Sequence, residues 1–525
     1  MAVMRYTLDK RHVLPTVRRA VALGVFDGLH IGHRLVMANA CVAEDTDGCL
    51  LTATVLSITG VPKGDMGRLL TPKREEQLLE TLGVEEWIDL PFASVRELSP
   101  AAFVKTILKD TLNTGVVCCG HNYRFGKNGA GNVDTLRQLC AQYDIRVVVE
   151  DMVQCEGEAV SSTNVRQAIA AGDMTKAARL LGRPFSVELP VQSGAKRGRQ
   201  WGTPTINQVF DTAYAVPRYG VYASLVVLGE KQYRAVTNVG IHPTVGGVKL
   251  PQAETWIQDF DGDLYGQTVQ VLLVRFLREE RQFATVEALK SQIAQDAEQA
   301  NAALNGDGTK AVLFDFDDTL QDRTLAFTAA MEQLIRRHFP QADEVKRRVL
   351  AQELFIKNNG GYVDYDAFFE EFAAAIPSEN GVTGRALYEE YLRIFPLCTQ
   401  LYDETVQVLQ TLRRQGYRLG LITNGHTLLQ NRKLDKAGIR SYLDGVVVSA
   451  DEGVGKPNPE IFRRLAERLC VASQDCVFVG DHPVNDIQGA LDAGMRAVYL
   501  NTRNLDEHPD GVCEVKRLAD ILKEL

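Results

Sequence analysis

Ala20-Val-Ala-Leu-Gly-Val-Phe-Asp-Gly-Leu-His-Ile-Gly-His33 is the stretch that decides the fold of the first part of this sequence. Its apolar beginning, residues 20–25, predicts a buried β-strand, and a helix is expected to begin near its end. Gly28 and Gly32 let the backbone approach a ligand closely, and the first turn of a helix offers free N–H groups. A strand that leads through such a turn into a helix is typical of a parallel sheet that binds phosphate groups.

Alternation of strands and helices continues around this stretch up to about Gly182. The pattern predicts strands at 19–25, 114–119 and 145–149 and helices at 73–82 and 133–142. Such alternation favours a parallel sheet with helices on its faces. We therefore expect a Rossmann-like first domain over residues 1–182.

The next part of the chain, residues 183–304, loses the helical period. Strand-like runs at 219–228, 232–239, 253–259 and 268–276 are separated by Gly and Pro turns, which predicts an antiparallel β-barrel or sandwich, of which we expect the barrel. A C-terminal helix is expected over 285–304. Residues 305–309, with Asn305-Gly-Asp-Gly308, predict the end of that helix and a flexible linker.

Strand and helix alternation resumes over residues 310–525, which predicts a doubly wound α/β core. A helical, aromatic-rich insertion interrupts it at about 322–400 and is expected to form a cap. The length of 525 residues agrees with three domains in a multidomain α/β protein.

Composition narrows the classes of partner. The net charge of −9, without a run of Lys and Arg, argues against nucleic-acid and anionic-membrane partners. The ten cysteines are scattered without metal-ligand spacing, as in a reducing compartment. No apolar run reaches signal-peptide or membrane-spanning length. We therefore expect a cytoplasmic protein that acts on small molecules; the sequence leaves its oligomeric state open.

His30 and His33 define a first candidate phosphate site. Their imidazoles lie three residues apart at the expected helix start, where they can donate hydrogen bonds to phosphate oxygens that gain charge as pyrophosphate leaves. Two further segments support this interpretation. Gly120-His-Asn-Tyr-Arg-Phe-Gly126 follows another apolar strand, and Ser161-Ser-Thr-Asn-Val-Arg166 opens a helix with hydroxyls and a cation.

With these motifs in this order, residues 20–182 resemble the FMN adenylyltransferase module of the prokaryotic bifunctional riboflavin kinase/FAD synthetases. The resemblance implies His30 and His33 as the catalytic pair. It further implies an ATP and flavin site that includes Gly24, Phe26, Asp27, Gly28, Gly32, Asn122, Ser162, Thr163 and Arg166. One departure stands out, because Thr54-Val-Leu-Ser-Ile-Thr-Gly60 replaces the F-x-P-H-P turn of that family. A degenerate flavin-sensing first half that regulates the third domain therefore stays open as an alternative.

A second candidate phosphate site follows in Gly194-Ala-Lys-Arg-Gly-Arg-Gln-Trp-Gly-Thr-Pro-Thr-Ile-Asn207. Thr205 and Asn207 are two residues apart, so on a strand they face the same side and can reach one ligand or Mg²⁺. Glu254, at the start of a predicted strand, can act as the base for an alcohol that attacks the γ-phosphate of ATP.

These pieces, with Asn238-Val-Gly-Ile-His-Pro-Thr244 downstream, make residues 183–300 resemble the riboflavin kinase module of the same family. The resemblance implies that Gly202, Thr205 and Asn207 bind ATP, with Thr205 and Asn207 also on Mg²⁺. It further implies that Glu254 takes the proton from the ribityl 5′-hydroxyl of riboflavin.

The third candidate site begins where the apolar strand Ala311-Val-Leu-Phe314 runs into Asp315-Phe-Asp-Asp-Thr-Leu320. Asp315 and Asp317 project to one side, so the two carboxylates can take different roles in one reaction. One attacks phosphorus, and the other protonates the leaving oxygen and then activates water.

Charge compensation for that site is predicted from downstream segments. Lys456 offers a cation, and Thr423 with Asn424, at the end of a strand over 419–422, can contact phosphate oxygens. Asp481 and Asp486 offer the hard oxygen ligands that suit Mg²⁺, together with the first aspartates.

In this order the motifs make residues 310–525 resemble a haloacid-dehalogenase-superfamily phosphatase with the helical cap of the first subclass. The resemblance implies an aspartyl-phosphate intermediate and a Mg²⁺ site on Asp315, Asp317, Asp481 and Asp486. The cap aromatics are predicted to form cap core; the alternative is that some stack on a flavin or pyrimidine ring. They are Phe355, Tyr362, Tyr365, Phe368, Phe369, Tyr388 and Tyr391.

Taken together, the resemblances imply an enzyme that converts riboflavin to FMN and FMN to FAD with ATP and Mg²⁺. For the phosphatase, the preferred substrate is a riboflavin-pathway phosphate, 5-amino-6-(5-phosphoribitylamino)uracil. FMN, or nucleotide and sugar phosphates in general, are the alternatives.

Overall fold

The computed structural model describes residues 3–8, 14–46, 50–60, 67–192, 203–211, 213–229, 231–243, 249–306, 308–361, 363–376, 381–502 and 511–525. Within them the chain forms three units, each built on its own sheet. Two of the sheets are parallel, and the sheet between them in the sequence is a closed antiparallel barrel. None of the helices described is both long and apolar enough to cross a membrane.

The first unit is a six-stranded parallel sheet in the order β1-β4-β3-β2-β5-β6. Its strands are β1 Met4–Thr7, β2 Arg19–Gly24, β3 Thr52–Thr59, β4 Glu86–Pro91, β5 Thr114–Gly120 and β6 Arg146–Glu150. Its helices are α1 Ile31–Cys41, α2 Pro72–Leu82, α3 Phe92–Val95, α4 Pro100–Ala102, α5 Val133–Ala141, α6 Ser162–Ala171 and α7 Met174–Leu181, and a small hairpin, β7 Gln154–Cys155 and β8 Glu158–Ala159, precedes α6. Strand β2 is buried on both faces because helices cover both sides of the sheet, which explains its unbroken apolar run.

The second unit is a closed barrel in the order β10-β13-β12-β11-β14-β9. Its strands are β9 Phe185–Gln192, β10 Thr205–Val209, β11 Gly220–Leu228, β12 Lys231–Pro243, β13 Lys249–Ile257 and β14 Thr268–Arg278. Along β13, Ala253 and Thr255 are fully buried while Glu254 and Trp256 lie on the outer face. This is the period-2 alternation of a strand with one face on a core. Helix α8, Val286–Asn305, packs against the outside of the barrel.

The third unit is a parallel sheet in the order β17-β16-β15-β18-β19-β20, with a helical cap between its first two strands. The strands are β15 Ala311–Phe314, β16 Arg418–Thr423, β17 Gly445–Val448, β18 Cys476–Gly480, β19 Arg496–Leu500 and β20 Cys513–Val515. The cap contains α9 Arg323–His338, α10 Glu344–Asn358, α11 Tyr365–Ala375 and α12 Gly384–Ile394. The core helices are α13 Thr405–Arg414, α14 Thr427–Ala437, α15 Ser449–Glu452, α16 Pro459–Arg468 and α17 Gly489–Asp492.

The predicted fold class is confirmed, whereas several element ends differ by a few residues. The strand predicted at 253–259 ends at Ile257, because Asp259 adopts a left-handed φ of 54° and turns the chain. The helix predicted from Thr285 begins one residue later. Thr285 serves as its N-cap, and its side chain accepts a hydrogen bond from the Ala288 N–H.

The first and third units are joined by helix α14. Arg34 of α1 donates to Asp435 (Nη2 to Oδ2, 3.0 Å), and Arg432 donates to the carbonyl of Gly83 after α2 (2.8 Å). Arg34, Arg432 and Asp435 are all buried. After α8, Gly306 packs against the backbone of the third unit, where an added Cβ would lie 3.0 Å from the Val471 Cα. Buried polar contacts therefore hold these units together.

Three candidate active sites

The first candidate site lies at the turn between β2 and α1. Strand β2 pairs with β3 on one side and β5 on the other, so the strand order reverses here and opens a crevice at the carboxyl end. The structure brings together the two predicted histidines, His30 and His33, whose rings stack with centroids 3.5 Å apart. Phe26 meets His33 edge-on. Position 24 lies against the Phe26 ring and requires glycine, because an added Cβ would come within 2.8 Å of that ring.

His30 caps helix α1 and is neutral in this setting. Its Nδ1 accepts a hydrogen bond from the His33 backbone N–H (3.3 Å), which assigns the ring proton to Nε2. Burial, aided by the cation of Arg183, lowers the pKa of His30 to about 4. The imidazole therefore offers one N–H donor at neutral pH.

Other predicted residues of this site stabilise the turn between β2 and α1 through an ion pair and hydrogen bonds. Asp27 forms an ion pair with Arg166, and its Oδ1 accepts from the Leu69 N–H (3.0 Å). Ser162 donates to the Asp27 carbonyl (2.7 Å). Gly28 adopts a φ of +87°, which a side chain would strain. These contacts fix the loop that holds the two imidazoles.

The remaining predicted residues of the first site vary in their setting. Gly32 lies against His30, where an added Cβ would be 3.4 Å from the ring. Asn122 is exposed just after β5, and Thr163 is exposed in the first turn of α6. The sequence interpretation missed Arg183, which donates to the Gly28 carbonyl (2.7 Å) and faces His30. Its only signal was a basic residue directly after a helix-ending glycine.

The second candidate site is a polar row on the outer face of the barrel. The register puts Asn207 of β10 opposite Glu254 of β13, and Glu254 opposite Asn238 of β12. Thr205 lies two residues from Asn207 and opposite Trp256, on the same face. The structure therefore brings Thr205, Asn207 and Glu254 together. Gly202 lies outside the described residues.

Two neighbours of Glu254 were not predicted as site residues. Gln252 donates to Glu254 (Nε2 to Oε1, 3.2 Å), and Asn238 donates to Glu280 (Nδ2 to Oε1, 3.1 Å). Glu280 comes from the segment after β14 and lies over Gly240, where a side chain would collide with it. The pairing that unites these residues is a matter of register between distant strands, which the sequence alone does not specify.

The third candidate site lies at the carboxyl end of β15, again where the strand order reverses. Lys456 bridges two carboxylates, with its Nζ 2.5 Å from Asp315 Oδ1 and 2.6 Å from Asp486 Oδ1. Oxygens of Asp315, Asp481 and Asp486 all lie within 4.8 Å of one another. These buried hard oxygens fit a Mg²⁺ ion.

Burial and partners set the charges of this cluster. Burial raises the pKa of Asp315 to about 7, although Lys456 opposes the shift. Burial also disfavours the charge on Lys456, but Asp315 and Asp486 outweigh it and raise the pKa of the ammonium. Asn424 holds this lysine through both backbone groups, accepting from its N–H (2.9 Å) and donating to its carbonyl (2.8 Å). Thr423 is buried at the adjoining strand end.

Asp317, predicted as a fourth side-chain ligand of Mg²⁺, is not part of the cluster formed by the other three carboxylates and has different partners. Lys433 of α14 forms an ion pair with it, Gln430 donates to its Oδ2 (2.9 Å), and Gln321 donates to its Oδ1. Burial favours the neutral acid, but Lys433 and Arg323 outweigh burial and lower the pKa of Asp317. These partners were missed because nothing in the spacing of Lys433 or Gln430 distinguishes them from ordinary helix residues.

The cap aromatics form a packed cluster. Phe369 and Tyr391 are fully buried and their ring centroids lie 5.1 Å apart, while Phe368 is also buried. Tyr365 and Tyr388 stack at the side of this cluster at 5.6 Å. Phe355 is half-buried, and Tyr362 lies outside the described residues.

Three family models match three successive parts of this chain. The family model for FAD synthetase matches residues 15–164, that for riboflavin kinase residues 181–304, and that for haloacid dehalogenase-like hydrolases residues 309–494.

Individual relatives match the first two units. A bifunctional riboflavin kinase/FMN adenylyltransferase from Pseudomonas fluorescens is 35% identical over 304 residues, which are 57% of this chain and 97% of the relative. The protein of that name from Escherichia coli (strain K12) is 33% identical over 53% of this chain and 90% of its own length. A crystal structure titled as a macrolide-efflux protein from Streptococcus pneumoniae is 31% identical, with a TM-score of 0.51, and covers 57% of this chain and 99% of that one.

Proposed function

This chain belongs to the bifunctional riboflavin kinase/FMN adenylyltransferase family and carries a haloacid dehalogenase-like hydrolase domain after it, and from this premise we propose how its sites divide the chemistry. The barrel phosphorylates riboflavin to FMN, and the first unit adenylylates FMN to FAD. The third unit hydrolyses a phosphate monoester of the riboflavin pathway. ATP is the co-substrate of the first two reactions.

For the kinase step, Glu254 acts as the base on the 5′-hydroxyl of riboflavin. The observation that carries this role is the register that sets Glu254 directly beside Asn207. A carboxylate can take the hydroxyl proton while the alkoxide attacks the γ-phosphate. Thr205 and Asn207, with side chains on the same face, would hold Mg²⁺ and ATP, and the ion would neutralise phosphate charge.

For the adenylyl step, no side-chain nucleophile is required. An oxygen of the FMN phosphate attacks the α-phosphate of ATP, and pyrophosphate leaves. The stacked pair of His30 and His33 supports this role, because the neutral His30 ring keeps its Nε2–H as a hydrogen-bond donor for the departing phosphates. The N-terminus of α1 adds backbone N–H groups to the same anion site.

For the phosphatase, Asp315 attacks phosphorus, and Asp317 acts first as the general acid and then as the general base. The ester oxygen leaves with a proton from Asp317, and Asp317 then takes a proton from the water that hydrolyses the aspartyl phosphate. A phosphate dianion next to Asp317 favours its protonated form before the first step. Lys456, bridging Asp315 and Asp486, supports the approach of that dianion. Asp315, Asp481 and Asp486 would hold Mg²⁺, which supplies further charge neutralisation.

The preferred phosphatase substrate is 5-amino-6-(5-phosphoribitylamino)uracil, an intermediate upstream of riboflavin. The fusion supports this substrate. A phosphatase that acts on this intermediate helps to supply riboflavin to the kinase in the same chain, whereas a phosphatase that hydrolyses FMN would reverse the result of the kinase reaction. Phosphate release compared across the pyrimidine phosphate, FMN and a panel of nucleotide and sugar phosphates tests this. Equal, slow rates on all three classes would refute the pathway assignment.

Incubation of the protein with riboflavin, ATP and Mg²⁺, followed by chromatography, tests the first two activities. We expect FMN and then FAD. The replacement of the F-x-P-H-P turn by Thr54-Val-Leu-Ser-Ile-Thr-Gly60 favours one second candidate, a flavin sensor that regulates the phosphatase. Flavin binding without either product would support the sensor, and FMN without FAD would mean that only the adenylyl site has lost activity.

A further inference from the structure

Two buried amide side chains that contact Asp317, and a third that contacts Arg323, have polar atoms that make no hydrogen bond within the described part of the chain. They are the Oε1 atoms of Gln321 and Gln430 and the Nδ2 atom of Asn358. Gln321 and Asn358 are 0% exposed and Gln430 is 4% exposed. Buried polar groups nearly always have a protein, water or ligand partner, because leaving one without a partner is costly. We call the region formed by Gln321, Gln430 and Asn358 the junction. It is suited to bind polar atoms that come from outside the chain.

The orientation of each amide is fixed by its other end. Gln430 donates through Nε2 to Asp317 Oδ2 (2.9 Å), and Gln321 donates through Nε2 to Asp317 Oδ1. Asn358 accepts through Oδ1 from Arg323 Nη2 (2.6 Å). A flipped amide would lose each of these bonds. The junction therefore presents two carbonyl acceptors and one NH₂ donor.

The position of the junction assigns it to the leaving group rather than to the phosphate. Asp317, the proposed acid for the ester oxygen, accepts hydrogen bonds from Gln321 and Gln430, whereas Lys456 pairs with Asp315 and Asp486. Arg323 and Asn358 belong to cap helices α9 and α10, and Arg323 interacts electrostatically with Asp317. Cap and core residues therefore both lie near the proposed acid, where the alcohol part of a substrate would leave.

We propose that Gln321, Gln430 and Asn358 form a hydroxyl-binding subsite, so that the phosphatase takes phosphate monoesters of polyhydroxylated alcohols such as alditol phosphates. This inference rests on the proposed phosphatase function and names its substrate class. A hydroxyl both donates and accepts, so neighbouring hydroxyls meet the two glutamine carbonyls and the asparagine NH₂ together. An alkyl chain meets none of them. A carboxylate only accepts, and would set its oxygens against the glutamine carbonyls.

The first test compares two five-carbon primary esters, ribitol 5-phosphate and n-pentyl phosphate, on the full-length protein. A site built to hydrogen-bond hydroxyls rejects an analogue that lacks them, so we expect kcat/KM to favour ribitol 5-phosphate by about 100-fold or more. Equal values for the two esters would overturn the subsite.

The second test is Asn358→Asp, which replaces the NH₂ donor by an acceptor while keeping an oxygen for Arg323. We expect the ratio of the two kcat/KM values to fall by about 10-fold or more, the effect of one lost buried hydrogen bond. Asn359→Asp is the matched control, because it makes the same change at an exposed neighbour and should leave the ratio unchanged. A folded Asn358→Asp protein with the wild-type ratio would contradict the proposal.

Failure of the proposed phosphatase function is distinguishable from failure of the subsite. If neither ester releases phosphate, the hydrolytic function is wrong, and binding still decides the subsite. Calorimetric titration of the Asp315→Asn protein with each ester should give about 10-fold tighter binding of ribitol 5-phosphate. Equal affinities would overturn the subsite whether or not the wild-type protein is active.

Discussion

Asp315 and Asp317 lie two residues apart, yet their surroundings shift their pKa values in opposite directions. Burial, near two further carboxylates, raises the pKa of Asp315, whereas Lys433 and Arg323 outweigh burial at Asp317 and lower its pKa. A nucleophile must be ionised and an acid protonated, so the proposed roles require bound Mg²⁺, which would keep Asp315 ionised, and the phosphate dianion, which favours the protonated form of Asp317. The difference comes from partners on α14 and in the cap, not from the two-residue spacing of Asp315 and Asp317.

Asp315→Asn should abolish phosphate release while leaving flavin synthesis intact. The amide cannot attack phosphorus, so we expect a loss of about 1,000-fold or more. FMN and FAD formation should change by less than about two-fold, because the three sites lie on separate sheets. Phosphate and flavin assays on the same preparation check both. Asp492→Asn, an exposed carboxylate in the same unit, is the control, and parallel loss of all activities would refute separate sites.

Glu254→Gln should remove the kinase activity selectively. Loss of a general base lowers kcat by about 100- to 10,000-fold, and the isosteric amide keeps the row with Asn207. Conversion of added FMN to FAD should continue at the wild-type rate. The exposed Glu298→Gln on α8 serves as the control. Chromatography of flavins checks the result, and normal FMN production by Glu254→Gln would exclude this residue as the base.

His30 should remain neutral well below the pH at which histidine is protonated in an unfolded chain. Its folded pKa of about 4 lies below the ordinary histidine pKa of 6.5, so the folded state binds fewer protons than the unfolded state between these values. The resulting stability is present above pH 6.5 and is lost as pH falls through about 4, to a total of about 3 kcal/mol.

NMR titration of labelled histidine, with His30→Asn to assign the signal, measures this pKa. In the native protein the His30 ring should show the neutral form at pH 5.5, whereas the same ring in urea should be mainly protonated. A native midpoint near 6.5 would mean that burial and Arg183 do not govern this ring.

The sequence identified the residues whose chemistry is encoded in short motifs, such as the stacked histidines and the bridging Lys456. It did not identify Arg183, Lys433 or Asn358. Each of these reaches its partner through tertiary packing, Arg183 from the chain after α7, Lys433 from α14 and Asn358 from the cap. Side chains with no motif of their own can be assigned only when the packing is known.

At the scale of elements, two strands determine where chemistry is placed. β2 and β15 each pair with neighbours on both sides at the point where the strand order of their sheet reverses. Loops that leave such strands diverge and open a crevice, which explains why the histidine pair follows β2 and the pair of Asp315 and Asp317 follows β15. Strand and helix alternation predicted both sheets. It could not fix element ends such as Ile257, which depend on a single left-handed residue.

Helix α14 is buried along most of its length although many of its residues are polar. Gln430 and Lys433 face Asp317, whereas Asn431, Arg432 and Asp435 face the first unit. A polar helix tolerates burial only when each charge has a partner. The helix therefore connects the phosphatase site to the unit that carries the histidine pair.

Asp435→Asn should destabilise the protein more than Arg34→Met does. Two buried cations, Arg34 and Arg440, share the single carboxylate of Asp435. Removing it leaves both uncompensated, at a cost of about 3–5 kcal/mol, whereas Arg34→Met leaves the pair with Arg440 intact. Urea-induced unfolding of the two variants measures the difference. A larger loss for Arg34→Met would show that the shared carboxylate is not the main contribution.

At the scale of the whole molecule, the contact between the first and third units is what distinguishes this chain from relatives that match only 57% of it. Arg413 of the third unit pairs with Glu156, and Cys155 donates to the Ser441 carbonyl (3.4 Å) beside α14. Tethered domains with no mutual interface move independently. Here the buried contacts predict a fixed arrangement, which the sequence could not reveal because the contacting residues are hundreds of positions apart.

The two halves should therefore associate even without the peptide that joins them. Co-expression of residues 1–305 with residues 308–525 as separate chains should give a 1:1 complex on size-exclusion chromatography at micromolar concentration, because the interface supplies affinity of its own. Asp435→Asn in the second piece should weaken the complex by about 100-fold or more, since it leaves Arg34 and Arg440 buried without a counter-charge. The exposed Asp492→Asn should have no effect. Separate elution of the unmodified halves would mean that only the linker keeps phosphatase and flavin synthesis together.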